Sequence, residues 1–108
     1  MIQCDLPSSY KDFLEDIEVE FTHEDILFYG KGTIIERNET LEVTKYAPGY
    51  IAIGDDSGGR AIILSLINES VSFVSQGSMN PEFREDISAS FHTWKKEGFI
   101  IPEDEDYD

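Results

Sequence analysis

The sequence predicts an α+β domain, a mainly antiparallel sheet with helices packed at one face or edge. Three observations carry that expectation. Residues 50–54 and 60–66 are two apolar runs around the polar turn Asp55-Asp56-Ser57-Gly58-Gly59, which is the pattern of a β-hairpin. In the first run Ile51 and Ile53 alternate with Tyr50 and Ala52, so both faces are apolar and the strand belongs in the middle of a covered sheet. Further short runs follow one another through tight turns, which implies antiparallel pairing, with helical periodicity near the two ends of the chain.

The first helix opens at Pro7, suited to a first helical turn, with Ser9 and Asp12 approximating a capping box. Tyr10, Phe13, Leu14 and Ile17 recur at i, i+3, i+4 and i+7 and make one apolar face; Lys11, Asp12, Glu15 and Asp16 make the other. Alternation over residues 18–21 predicts a short strand with Val19 and Phe21 inward, then a turn at His23-Glu24-Asp25. Residues 26–29 form a second apolar run, ended by Gly30 and Gly32. Residues 33–44 support two readings. Thr33 with Glu36, and Ile34 with Leu41, fit a helix over 33–43; the β-branched Thr33, Ile34, Ile35, Thr40, Val43 and Thr44 fit a strand. Pro48-Gly49 launches the central hairpin. Asn68-Glu69 turns it into a strand at 71–75, with Val71 and Phe73 on one face. Residues 76–81 read as a loop. A last helix is expected over 86–97, with Ile87, Phe91 and Trp94 as its buried stripe, Lys95 and Lys96 in its last turn and Gly98 as its stop. Residues 1–98 then make one domain, and 99–108 an acidic C-terminal tail.

A chain of 108 residues with 40% hydrophobic content can bury a core, and its Lys+Arg 8 against Asp+Glu 23 leave a formal charge of −15. That balance argues against nucleic-acid or anionic-membrane binding, both of which use basic surfaces. It suits either a solvated acidic surface or a basic partner, whose approach an acidic field accelerates. No apolar run is long enough to cross a bilayer, and no basic segment precedes an apolar export core. The single cysteine, Cys4, forms no internal disulfide, and a cytoplasmic location is expected.

Several patterns resemble chemistry and fail on spacing. Asp56-Ser57-Gly58-Gly59 echoes a serine-protease motif, but that chemistry needs a larger two-barrel enzyme with His and Asp placed to activate the serine. Asp55 and Asp56 lack the alternating ligands and distal Glu of a calcium loop. Gly30-Lys31-Gly32-Thr33 lacks the first glycine and gap of a phosphate-binding loop. Cys4, His23 and His92 have no zinc spacing, and nothing in the sequence brings a base to Cys4. No catalytic residue, metal site or cofactor is expected.

Leu6-Pro7-Ser8-Ser9-Tyr10-Lys11-Asp12-Phe13-Leu14 resembles the opening motif of the SUKH superfamily. Residues 50–66 resemble its central hairpin, and Ile87-Ser88-Ala89-Ser90-Phe91 with Trp94 resembles its closing helix. The superfamily includes fungal cell-wall synthesis regulators and bacterial immunity proteins that neutralise polymorphic toxins. The resemblance implies a non-enzymatic protein-binding module whose partner is a cognate protein toxin. With a charge of −15 that toxin is expected to be basic, for instance a nuclease, whose phosphate sites carboxylates would occupy. The expected contacts are the turn acids Asp55 and Asp56, the nearby Glu69, and Glu103, Asp104, Glu105 and Asp106 of the tail; a charged hairpin tip and a solubilising tail explain the same residues. A regulatory or scaffold module is the alternative, and so is a small-molecule cleft around Tyr29, Tyr50 and Trp94. Oligomeric state stays open.

Overall fold

The computed structural model describes residues 8–18, 20–23, 26–56 and 58–99. Among these, α1 (Ser8–Glu15) is followed by strands β1 (Glu20–His23) and β2 (Ile26–Tyr29), then by helices α2 (Ile34–Thr40) and α3 (Val43–Tyr46). Strands β3 (Tyr50–Asp55), β4 (Arg60–Ser65) and β5 (Val71–Ser75) come next, then a 3₁₀ turn at Pro81–Phe83, β6 (Glu85–Ser88) and α4 (Phe91–Lys96). The six strands form one sheet in chain order, every neighbouring pair antiparallel. The α+β class stands.

The central hairpin is the spine of this sheet. Positions 51–54, 61–65 and 71–74 are all buried, so β3, β4 and β5 are covered on both faces. The side chains of Phe28 and Tyr29, neighbours on β2, point to opposite faces. Phe28 packs against Phe13 of α1 and Trp94 of α4, with ring centroids 5.3 and 5.8 Å away. Tyr29 lies beneath Arg37 of α2, whose guanidinium carbon is 5.6 Å from the ring centroid. The terminal helices therefore take one face and the inserted pair the other. The expected α1 stripe is borne out: Tyr10, Leu14 and Ile17 are buried and Phe13 is half-buried.

Where 33–44 left helix and strand open, the chain is helical but broken. Glu42, at φ 55°, adopts the left-handed conformation between α2 and α3. The break turns Val43 into the core, where it is 1% exposed. Thr33 occupies the N-cap of α2, yet its side chain makes no capping hydrogen bond, so the expected box does not form.

Asn38, in α2, is buried and bridges the two layers. Its Nδ2 donates to the carbonyls of Ile34 and Ala52, each at 2.9 Å, and its Oδ1 accepts from the Ala52 N–H at 2.8 Å. β2 pairs with β3 only through Leu27–Asp55 and Phe28–Gly54. Beyond that point the Asn38 carboxamide takes the place of a neighbouring strand and satisfies both backbone groups of Ala52, as buried polar groups require.

The closing segment corrects the expected helix over 86–97. Residues 85–88 pair with β5 as a sixth strand, and the helix begins only at Phe91. Ile87 is thus a half-buried strand residue, while Phe91 and Trp94 are buried as expected. Ser90 caps α4, its Oγ accepting from the Thr93 N–H at 3.1 Å. At the other end the Phe99 N–H donates to the Trp94 carbonyl and the Gly98 N–H to that of Lys95, a Schellman ending with Gly98 at φ 90°. The Phe99 ring completes the motif 4.9 Å from Trp94. Phe21 is corrected too. It sits on the edge strand β1 at 39% exposure, with the rings of Phe13, His23 and Phe28 beside it. Cys4, Pro7, Val19, the Glu24-Asp25 turn and residues 100–108 lie outside the described residues.

Candidate functional site

The acids at the central hairpin are held by their neighbours. Asp55, the last residue of β3, accepts a 2.8 Å hydrogen bond from the hydroxyl of Tyr29. Burial of the Tyr29 ring, and then this bond, push that hydroxyl well above the usual tyrosine range. Asp56 builds the turn itself. Its Oδ1 accepts from the Gly58 N–H at 2.8 Å and the Arg60 N–H at 3.1 Å, and its Oδ2 pairs with Arg60 Nε at 2.8 Å. Partial burial works to raise the Asp56 pKa, but the Gly58 N–H and both donors of Arg60 outweigh it and hold the carboxyl below its ordinary value. With a side chain only 14% exposed, Asp56 corrects the expectation of two freely exposed carboxylates at this tip. Gly59, at φ 100°, supplies the left-handed residue that closes the turn.

Arg60 organises the surroundings. It lies over the Phe73 ring, 4.1 Å from guanidinium carbon to centroid, and its Nη1 reaches Glu85 Oε1 at 3.1 Å. Asp56, Arg60 and Glu85 thus form one chain of charges across β4, β5 and β6. Sequence reasoning missed Arg60 and Glu85. The available signal was a lone cation directly after the turn glycines, where the returning strand brings it back onto Asp56.

Glu69 does not join them. It occupies the β4–β5 turn at φ 68°, with its backbone carbonyl accepting from the Phe91 N–H at 2.9 Å. β4 separates that turn from the Asp56 turn by its full length, roughly 17 Å or more at strand spacing. Glu69, near in sequence, is therefore at the opposite end of the sheet. Glu103, Asp104, Glu105 and Asp106 lie outside the described residues.

The aromatics considered for a small-molecule cleft are divided as well. Trp94 is buried under one face of the sheet among Phe28, Phe91 and Phe99, while Tyr29 is buried on the other. Tyr50, half-buried at the start of β3, is opposite Ser65. Among the described residues no group of three or more His, Cys, Asp or Glu side chains has the geometry to hold a metal ion, and no helix is long and apolar enough to cross a membrane.

The described surface has two ends. One carries Asp55, the Asp56–Arg60–Glu85 chain and an exposed Phe83; the other carries Glu69 and, at the tip of the β4–β5 turn, an Ile67 that is 87% exposed. No curated protein matches the chain. Residues 1–97 match the family model described as SMI1 / KNR4 family (SUKH-1), and with the opening helix, central hairpin and closing helix all inside that match, the chain belongs to this family.

Proposed function

We propose that the protein is a non-enzymatic binding module of the immunity type, which occludes a toxin domain carrying a basic surface. Membership of the SMI1 / KNR4 (SUKH-1) family over residues 1–97 is the observation that carries this reading. The fold is consistent with it. β3, β4 and β5 are buried on both faces, so a macromolecular partner has the turns, the sheet edges and the outer helix surfaces to meet. With Asp+Glu at 23 and Lys+Arg at 8, those surfaces attract a cationic partner at long range. Contacts through Asp55, Asp56, Glu69 and the acids at 103–106 are part of the proposal. Because the first two and Glu69 sit at opposite ends of the sheet, the two ends act as separate contact regions.

The test is growth rescue. Where the gene immediately upstream encodes a C-terminal toxin domain, the protein is coexpressed with that domain in cells that it alone would kill. Survival, with a stable complex recovered on purification, supports the reading; death at equal expression of a folded protein overturns it. Asp55→Asn and Glu69→Gln, each removing one charge, are expected to slow association at low salt by a few-fold and leave dissociation nearly unchanged. An association rate that neither change moves takes those acids out of the interface.

A further inference from the structure

The end of the sheet where β4 turns into β5 is nearly uncharged. Residues 46–50, 65–71 and 87–93 meet there. The Leu66 N–H donates to the Gly49 carbonyl and the Phe91 N–H to that of Glu69, each at 2.9 Å, and Ser88 is opposite Val71. Together these segments contain one charged side chain, Glu69, in a chain that is 29% charged. Elsewhere the described surface carries exposed acids: Asp12 and Asp16 on α1, Glu36 and Glu39 on α2, Glu82 and Glu85 at the Asp56 end. The uncharged end is also apolar. Ile67 is 87% and Tyr46 47% exposed, Pro48 is exposed, and Tyr50 and Leu66 are half-buried. The exposed Phe83 differs, because Glu82, Arg84 and Glu85 bracket it in the chain. Low charge with aromatic and aliphatic side chains is the composition of an interface core.

The Ile67 turn is held ready. Ser65 Oγ accepts from the N–H groups of Ile67 and Asn68, each at 3.2 Å, and Asn68 Oδ1 accepts from the Ser70 N–H at 3.0 Å. The Glu69 N–H donates to the Ser65 carbonyl at 3.0 Å. A side chain carried on a backbone already fixed loses little freedom on being covered. We infer that this end joins two copies of the chain in a two-fold dimer, the Ile67 turn of each lying against Tyr46, Pro48 and Tyr50 of the other. Turn and bed are neighbours within one copy, so a single patch serves both sides, as two-fold symmetry requires. Charge selects the occupant. A basic partner is drawn to the acids, which lie elsewhere, whereas a second copy, itself of charge −15, is repelled by the acidic faces and meets least repulsion here. Lys45, its Nζ 5.1 Å from the Tyr46 ring centroid, edges the patch with a charge opposite to that of Glu69. The Asp56 turns are left at the far ends of the dimer.

The test is sedimentation equilibrium of the full chain up to about 1 mM, in about 20 mM and about 0.5 M NaCl. The expected result is a monomer–dimer equilibrium that tightens by at least about tenfold at the higher salt, because screening removes the repulsion between two acidic copies. In ¹⁵N spectra, shifts that depend on protein concentration are expected within residues 45–50 and 65–70. Ile67→Ser, a change at an exposed position, is expected to weaken the dimer by about tenfold or more, and Phe83→Ser to leave it unchanged. A monomer at every concentration and salt, a dimer that salt weakens, shifts on another face, or an Ile67→Ser protein that dimerises like the parent each overturn the proposal. The dimer does not rest on the toxin-binding reading. Growth rescue by a strictly monomeric protein would overturn the dimer alone, and failed rescue by a dimer that salt strengthens would overturn that reading alone.

Discussion

Asn38 shows how a single residue can join two layers. A polar side chain in the middle of an amphipathic helix reads as surface, and nothing local announces that α2 must meet the stretch of β3 that β2 leaves unpaired. It was not legible in the sequence for that reason. Asn38→Leu is expected to leave the buried N–H and carbonyl of Ala52 unpaired and to cost about 3 kcal/mol, read as a lower urea midpoint at unchanged slope. A loss under about 1 kcal/mol would mean that those groups find other partners. Asp56 was legible as a turn residue but not as a half-buried one, because its exposure depends on Arg60 returning across the turn. Its pKa is lowered in the folded state, so its contribution is present above the unfolded carboxyl pKa of about 4 and fades as pH falls through the lower folded value. Asp56→Asn is therefore expected to lose about 1 kcal/mol at pH 7 and to approach the parent protein's stability in strong acid. An equal deficit at both pH values would contradict that assignment. Tyr10 is the inverse case. Its hydroxyl is buried with no partner among the described residues, and burial raises its pKa well above the usual range. Tyr10→Phe should keep or raise the thermal midpoint, since an unsatisfied buried hydroxyl costs about 1 kcal/mol or more; a clear drop would reveal a bond that the hydroxyl makes.

At the level of elements, the strands buried on both faces were the most legible, because apolar runs such as 60–66 and 71–75 bounded by turn residues leave few alternatives. Edges were the least legible. Three of the four residues of Glu85-Asp86-Ile87-Ser88 are polar, and Ile87 stands at helical spacing from Phe91 and Trp94, so the sixth strand reads as the first turns of the last helix. Ser90, three residues before the Thr93 N–H that it caps, was the available start signal for the helix. The β2–β3 junction depends on Gly54. A Cβ there would collide with the Leu27 carbonyl oxygen and lie 3.3 Å from the Phe28 Cα, both backbone atoms that cannot swing away. Gly54→Ala should push β2 off β3 beside the bulge at 52–54 and cost about 2–3 kcal/mol, with faster amide exchange at 26–29. Unchanged stability and exchange would show that the junction can yield.

For the whole molecule, the family and the α+β class were legible because three separated segments, in order, carry both the fold and the resemblance. The candidate site was less so. Proximity in sequence suggested one acidic patch, and the antiparallel sheet divides Asp55 and Asp56 from Glu69 by the length of β4. What unites the surface is charge rather than a single cluster, with Asp+Glu exceeding Lys+Arg by 23 − 8 = 15. That excess makes a kinetic claim, since a field of this sign steers a basic partner inward and is screened beyond about 8 Å at physiological salt. The association rate of the protein with a toxin domain against which it rescues growth, followed by stopped-flow over a range of ionic strength, tests this most directly. The account predicts rapid binding that slows by at least about tenfold from low to high salt while dissociation changes little. No association, or a rate indifferent to salt, would contradict it.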